Sequence, residues 1–500
     1  MKQITRISVL LAALLAVVSV CHSQTVTEGR NLRTATPHLS KDSLQRQREG
    51  AVERPRQRTS SFRVVDTGQD LCYGNSNSIA YPQPQEPFYG QDAQYQAIPF
   101  AFRDNRNGTV TDLNTGLMWE KTPDFVKRNM EEAESHARHL NLGGYSDWRI
   151  PSIKELFSIA NFSGSIQTMT PYIDTRVFDF EYPDTSKGWR IIDAQYRSST
   201  RYLGITMAGD SAGFGFNFAD GRIKGYPISG PGARRFGAGK QYLRCVRGPT
   251  YGVNYFVDNN NGTISDRATD LMWTKSDTSS PMNWQQALDY AERLKYAGYS
   301  DWRLPNIKEL QSIVDYRRTP DAQQVSARGP AIDPIFKVTK EESWCWSSTT
   351  HLDNQFGYYV CFGQALSARK WRDKQMNAHG AGAVRSDPKA GNPADWPNGL
   401  GPQSDEIRIY NYVRCVRGGV ATLRTAPPAS SLRRIQRRKP TITLPSAGKR
   451  WVLHLDKNKD GKVARSEFDG PPQHFSSFDK NGDGFITESE APSGPPPGGG

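Results

Sequence analysis

Two twelve-residue stretches near the C-terminus, DKNKDGKVARSE (456–467) and DKNGDGFITESE (479–490), carry oxygen-bearing side chains at positions 1, 3, 5 and 12 and a glycine at position 6. A hard cation such as Ca2+ takes about six to eight oxygens, and a loop of this length supplies them from those side chains and the carbonyl at position 7. The first loop offers Asp456, Asn458, Asp460, the carbonyl of Lys462 and Glu467, turning at Gly461. The second offers Asp479, Asn481, Asp483, the carbonyl of Phe485 and Glu490, turning at Gly484. Position 9 is Ala464 or Thr487, which leaves a place for water, and Val463 and Ile486 at position 8 are spaced to bridge paired loops. A single match is an ordinary accident of Asp- and Gly-rich turns, whereas two in tandem read as an EF-hand pair with Ca2+ as cofactor. Pro471 and Pro472 after the first loop, and Pro492 after the second, leave little exiting helix. Calcium is therefore expected to fold and stiffen the pair rather than open a sensor's groove. The Asn-Gly stretches 104–112 and 258–266 lack the required carboxylates and read as structural turns.

Catalytic chemistry finds less to work with. The polar sets Asp147/Arg149 and Asp301/Arg303, and the pairs Lys154-Glu155 and Lys308-Glu309, sit where helix caps and ion pairs would use them. None of the eight histidines falls in an HExxH pattern, and there is no GxSxG or phosphate-binding loop. No catalytic residue is assigned.

What positions these residues is an internal duplication. DNRNGTVTDLNTGLMW (104–119) returns as DNNNGTISDRATDLMW (258–273), and GGYSDWRIPSIKELFSI (143–159) as AGYSDWRLPNIKELQSI (297–313). Gly108 and Gly262 are 154 residues apart, as are Trp148 and Trp302. The closing strings YLRCVRG (242–248) and YVRCVRG (412–418) are 170 apart, so the second copy is longer in its back half. Each copy predicts an Asn-Gly hairpin, a helix with Ala133, Ala137 and Leu140 (or Ala287, Ala291 and Leu294) on one face, and a second helix opened by a capping box, Ser152…Glu155 or Asn306…Glu309. Strand and loop follow, down to the VRCVRG strand, where Arg244, Arg247, Arg414 and Arg417 are candidates for a sulfate-binding face, with buried ion pairing as their other reading.

The N-terminus has Lys2 and Arg6, an apolar run from Val9 to Val18 and a polar turn at His22-Ser23, the pattern of a cleaved secretory signal. Val20 does not suit lipidation of Cys21. No later stretch has the roughly twenty apolar residues of a membrane helix. Net charge is +13, concentrated in the aperiodic stretches 24–64 and 420–449, the second with Arg424, Arg433, Arg434, Arg437, Arg438, Lys439 and Lys449 but no Asp or Glu. Such tethers suit polyanions, and export favours an acidic or sulfated polysaccharide over nucleic acid.

The strings GTVTDLNTGLMW, GGYSDWRIPSIKEL, the Ser-Ser-Thr at 198–200 and 347–349, and VRCVRG resemble the C-terminal domain of the Legionella collagen-like protein, in both copies. The resemblance implies an exported, adhesive, lectin-like α+β domain that binds sulfated glycans in at least one member. The expected fold class is α+β, two tandem lectin-like mixed α/β domains with a small C-terminal EF-hand pair. Boundaries are a signal at 1–23, a basic disordered linker at 24–64, a leader of the first domain at 65–94, copies at 95–250 and 251–419, a basic linker at 420–449, the EF-hand pair at 450–492 and a tail at 493–500. The expected function is an exported calcium-binding protein with adhesive domains for acidic or sulfated glycans, and not an enzyme. The alternative is an exported enzyme on a formylglycine-generating-enzyme-like or other lectin-like scaffold, with calcium as structural cofactor. After signal removal five cysteines remain, and copy 1 has Tyr196 and Asn217 where copy 2 has Cys345 and Cys361. That joint absence suggests a Cys345–Cys361 disulfide. Cys72, Cys245 and Cys415 admit more than one pairing.

Overall fold

A computed structural model describes residues 62–207, 209–235, 239–353, 355–371, 374–401, 403–419, 421–427, 452, 455–456, 458, 460–468 and 472–491. The signal sequence with Cys21, the basic stretch up to residue 61, the basic residues 428–450 and the terminal tail lie outside the described residues.

Each copy opens on a hairpin whose corner its own side chains hold. The Asn105 amide donates to the hydroxyls of Thr109 and Thr111, both at 2.9 Å, and Asn259 does the same to Thr263 and Ser265. Gly108 and Gly262 turn the corner at φ +84° and +88°, a region that costs a side chain dearly. In copy 1 the strands Phe102–Asp104, Thr109–Asp112 and Met118–Glu120 join the closing strand Val246–Arg247 in a four-stranded antiparallel sheet. Copy 2 repeats it with Phe256–Asp258, Thr263–Asp266, Leu271–Thr274 and Val416–Gly418.

The expected helices are present as α1 (Met130–His139) and α2 (Ile153–Ser158) in copy 1, and α3 (Trp284–Arg293) and α4 (Ile307–Ser312) in copy 2. Ala133 and Ala137, like Ala287 and Ala291, face inward. Both capping boxes close, Ser152 with Glu155 and Asn306 with Glu309, satisfying amide donors that a helix start leaves open. The Ser-Ser-Thr strings serve the same helices. Thr200 Oγ1 accepts from the Ile153 amide at 3.0 Å, and Thr349 Oγ1 from Ile307 at 2.9 Å. Trp148 and Trp302 are equivalently buried, 4% and 1% exposed. Each indole donates to a nearby carbonyl, of Tyr145 at 3.0 Å or Tyr296 at 3.1 Å.

The copies do not close separately. Gln195–Arg201, Ser211–Asn217 and Arg222–Ser229 of copy 1, with Val384–Asp387, Phe356–Cys361 and Trp344–His351 of copy 2, form one six-stranded antiparallel sheet, joined where Val384 faces Ile223. One hydrophobic cluster takes Phe157, Phe214 and Phe216 from the first copy and Leu310, Tyr358 and Val360 from the second. The fold is thus strand-rich α+β with the duplication fused through sheet and core.

The leader, residues 65–94, touches both copies. The Phe162 amide of copy 1 donates to the Thr67 carbonyl at 2.7 Å, and the same segment reaches across to copy 2. The Gln69 side chain accepts from the Thr350 amide at 2.9 Å, Thr349 Oγ1 donates to Asp92 at 2.6 Å, and Lys389 Nζ donates to the Gly74 carbonyl at 3.0 Å. Fusion of the copies makes the distant surface as near as the adjacent one.

Candidate functional site

The two C-terminal loops are joined by a two-residue antiparallel pairing in which Val463 faces Ile486 and Ala464 faces Phe485. Val463 and Ile486 bury with Val452, Leu455 and Phe475 in a small core of their own. In the first loop Asp456 accepts from the amides of Asp460 and Gly461 at 3.2 and 2.8 Å, and Glu467 reaches back to the amides of Asn458 and Ala464 at 3.0 and 2.9 Å. In the second, Asp479 accepts from Gly482, Asp483 and Gly484 at 2.8 to 3.1 Å, and Glu490 from Asn481 and Thr487 at 3.3 and 3.0 Å. Gly461 and Gly484 adopt φ +87° and +86°. The Thr487 hydroxyl, 2.6 Å from Glu490, and the loop amides hold that carboxyl below its ordinary range, so it stays ionised. Among the described residues, no three His, Cys, Asp or Glu side chains are gathered closely enough to hold a metal ion. In these loops the carboxylates instead receive loop amides, and the Asn458 and Asn481 side-chain oxygens accept from the amides of Asp460 and Asp483, each at 2.9 Å.

The four arginines do not make an anion-binding face. Arg244 and Arg414 are fully buried. Each is spent on three backbone carbonyls, those of Glu120, Lys121 and Asp179 at 2.6 Å, or those of Thr274, Lys275 and Lys337 at 2.7 to 2.8 Å. A guanidinium has five donors in a planar fork, which suits it to tie the carbonyls of two separate chain segments together. Arg247 and Arg417 pair with Asp147 and Asp301 at 2.6 and 2.7 Å and lie over the rings of Tyr145 and Tyr299 at 3.7 and 3.8 Å. The residues weighed for catalysis are similarly engaged. Arg149 grips Glu155 through two hydrogen bonds of 2.7 Å, and Arg303 grips Glu309 through two of 2.5 and 2.6 Å. Lys154, half-buried, and Lys308, buried, lie between the copies, where desolvation lowers them to about 8 and about 7.

The Cys345–Cys361 disulfide is corrected by strand register. Trp344 faces Cys361 and Cys345 faces Val360. Neighbouring positions of a strand point to opposite faces of the sheet, so the two sulfurs project away from each other. Cys345 packs in the large shared core, while Cys361 packs with Trp344 and Tyr359. Cys72, Cys245, Cys345, Cys361 and Cys415 are all free and buried. In copy 1 Tyr196 and Asn217 have the same staggered register, Tyr196 facing Phe216 and Asn217 facing Gln195. Burial pushes the Cys72 thiol up to about 12 and raises the other four as well, which keeps them protonated.

Sequence reasoning missed a cleft of about 550 Å³ in copy 1, between α1 and the Arg149–Glu155 pair, with Arg138, Ser199 and Arg201 on its walls. Its one trace in the sequence is that Arg138 and Arg201 stand where copy 2 has Glu292 and Thr350.

Compared with known proteins, residues 108–247 and 262–384 match the Lcl C-terminal domain, together more than half of the chain. No curated protein and no solved structure matches it.

Proposed function

The chain belongs to the Lcl C-terminal domain family, and from that premise we propose an exported calcium-binding protein that presents two fused lectin-like domains to acidic or sulfated glycans at the cell surface or in the matrix. The observation that carries the calcium part is the pair of C-terminal loops, each with its glycine at positive φ and its closing glutamate folded back. We read them as an EF-hand pair. Three carboxylates, an asparagine oxygen and a main-chain carbonyl per loop are hard oxygen donors of the kind calcium prefers. A bound ion would tie the ends of each loop together and stiffen the pair.

Glycan adhesion is supported by the family and by the basic tethers of the sequence, since the VRCVRG arginines are occupied within the fold. A binding role also accords with how the repeated polar residues are used, because Arg149, Arg303, Lys154 and Lys308 serve the scaffold. No helix among the described residues is long and apolar enough to cross a membrane. The experiment is retention of the mature protein on heparin with a salt gradient. Contacts through exposed charge are screened over about 8 Å at physiological ionic strength, so elution should need added salt. Passage with the low-salt flow-through would remove the glycan reading.

A further inference from the structure

The two copies share a scaffold but differ at one cleft. In copy 2 the leader fills it. The Tyr95 hydroxyl donates to Glu292 at 2.7 Å while its ring lies 5.4 Å from the Arg303 guanidinium. Phe88 packs on Trp284, its ring centroid 6.3 Å away. Asp92 accepts a hydrogen bond from the Thr349 hydroxyl, and Tyr95–Gln96 pairs antiparallel with Thr422–Leu423. Beneath this segment the Arg303 side chain is 5% exposed. In copy 1 nothing of the described chain takes that place, and the equivalent Arg149, with the same grip on its glutamate, is 40% exposed. Ser199 is exposed where its counterpart Ser348 is buried.

We propose that the copy-1 cleft is a docking groove for an extended polypeptide segment of a partner protein, carrying an aromatic side chain and a carboxylate, laid down as the leader lies on copy 2. The equivalent cleft shows that this scaffold receives an extended chain, its ring beside the arginine of the Arg–Glu pair and its carboxylate on the threonine hydroxyl. Thr200 offers the same hydroxyl in copy 1, already oriented by accepting from the Ile153 amide. The differences between copies sharpen the preference. Arg138 replaces Glu292 and Arg201 replaces Thr350, while Glu134, 3.8 Å from Arg201, replaces Leu288, so the groove still gains net positive charge over copy 2, with Arg138 as its unshared cation. An acidic segment is thereby favoured over a neutral one. Residues 86–97 of the leader are already engaged on copy 2, and the proposed occupant of the copy-1 cleft is a segment of the same chemistry from a partner chain.

The test titrates the full-length protein calorimetrically with a synthetic peptide of the leader sequence 86–97, EPFYGQDAQYQA. The same titration is run on Arg138→Glu, an exposed position on α1, and on Ser199→Trp, which fills the mouth of the cleft. Saturable binding of one peptide per chain is expected, weakened about tenfold or more in both variants at unchanged melting temperature. A peptide with Asp92→Asn and Tyr95→Ala is expected to bind more weakly than the parent. No saturable heat, or equal affinity in wild type and both variants, overturns the proposal. So does displacement of the peptide by a heparin-derived octasaccharide whose own affinity falls in the same variants, since that assigns the cleft to glycan.

Discussion

Lys154 Nζ donates to the main-chain carbonyl of Ser312 at 2.6 Å, at the end of the helix equivalent to the one Lys154 itself occupies. Lys308, 154 residues on, returns the contact to Ser158 at 2.9 Å. The reciprocity makes α2 and α4 a symmetric clasp between the copies, each lysine donating to the last carbonyl of the other helix.

Removing one of these donors should loosen the fusion. Lys154 also donates to the Gly252 carbonyl at 3.0 Å and to Asn254 at 2.9 Å, so Lys154→Met leaves three acceptors without their partner. A loss of about 1–3 kcal/mol in chemical denaturation is expected, with both copies unfolding together. A variant as stable as wild type would mean that water or a shifted side chain takes over the contacts.

Stability should rise with pH above neutrality because of Lys308. Burial lowers it from an ordinary 10.5 to about 7. Between those values the unfolded chain holds the proton and the folded chain does not, so raising pH favours the fold, by at most about 1.4 kcal/mol per pH unit. Its neutral amine keeps two donors, matching the carbonyls of Asp66 and Ser158. Other lysines, thiols and tyrosines titrate in the same window. The informative quantity is therefore the stability of wild type minus that of Lys308→Met, which should grow from pH 7 to 10. Parallel curves would contradict the assignment.

The five cysteines should be silent until the protein unfolds. Alkylation without reductant is expected to label none in the native state and all five after denaturation, by intact mass. Recovery of a peptide pair joining Cys345 to Cys361 would show that the strand register is wrong by one residue.

Much of this architecture was legible because the duplication repeats its local signals. The Asn-Gly corners, the alanine faces of α1 and α3, the capping boxes and the equivalence of Trp148 and Trp302 rest on contacts a few residues apart in sequence. What escaped depends on long-range pairing. Nothing in the local pattern of Ile223 or Val384 marks them as the join between sheets. The fifteen residues between Cys345 and Cys361 do not reveal which face each side chain takes, because register is set by the whole sheet. Arg244 and Arg414 alternate with Val and Cys, which suggested one open face, yet both are buried on backbone carbonyls. Sequence adjacency ties the leader to copy 1, and it does not show that Asp92 also accepts from the Thr349 hydroxyl of copy 2.

The calcium loops test the account most directly. Lys462 and Arg465, with Lys457 and Lys459 outside the described residues, surround the first loop, whereas the second has Lys480 and the extra carboxylate of Glu488. Each neighbouring cation opposes Ca2+ by about 1 kcal/mol or less in water, so the 479–490 loop should be the tighter. Calorimetric titration of Ca2+ into metal-free full-length protein is expected to show two sites with dissociation constants of about 10⁻⁴–10⁻³ M. Glu490→Gln should remove the tighter site and Glu467→Gln the weaker. Loss of the tighter site in Glu467→Gln alone would reverse the charge argument, and no saturable binding, or both variants binding as wild type does, would contradict calcium as the ligand.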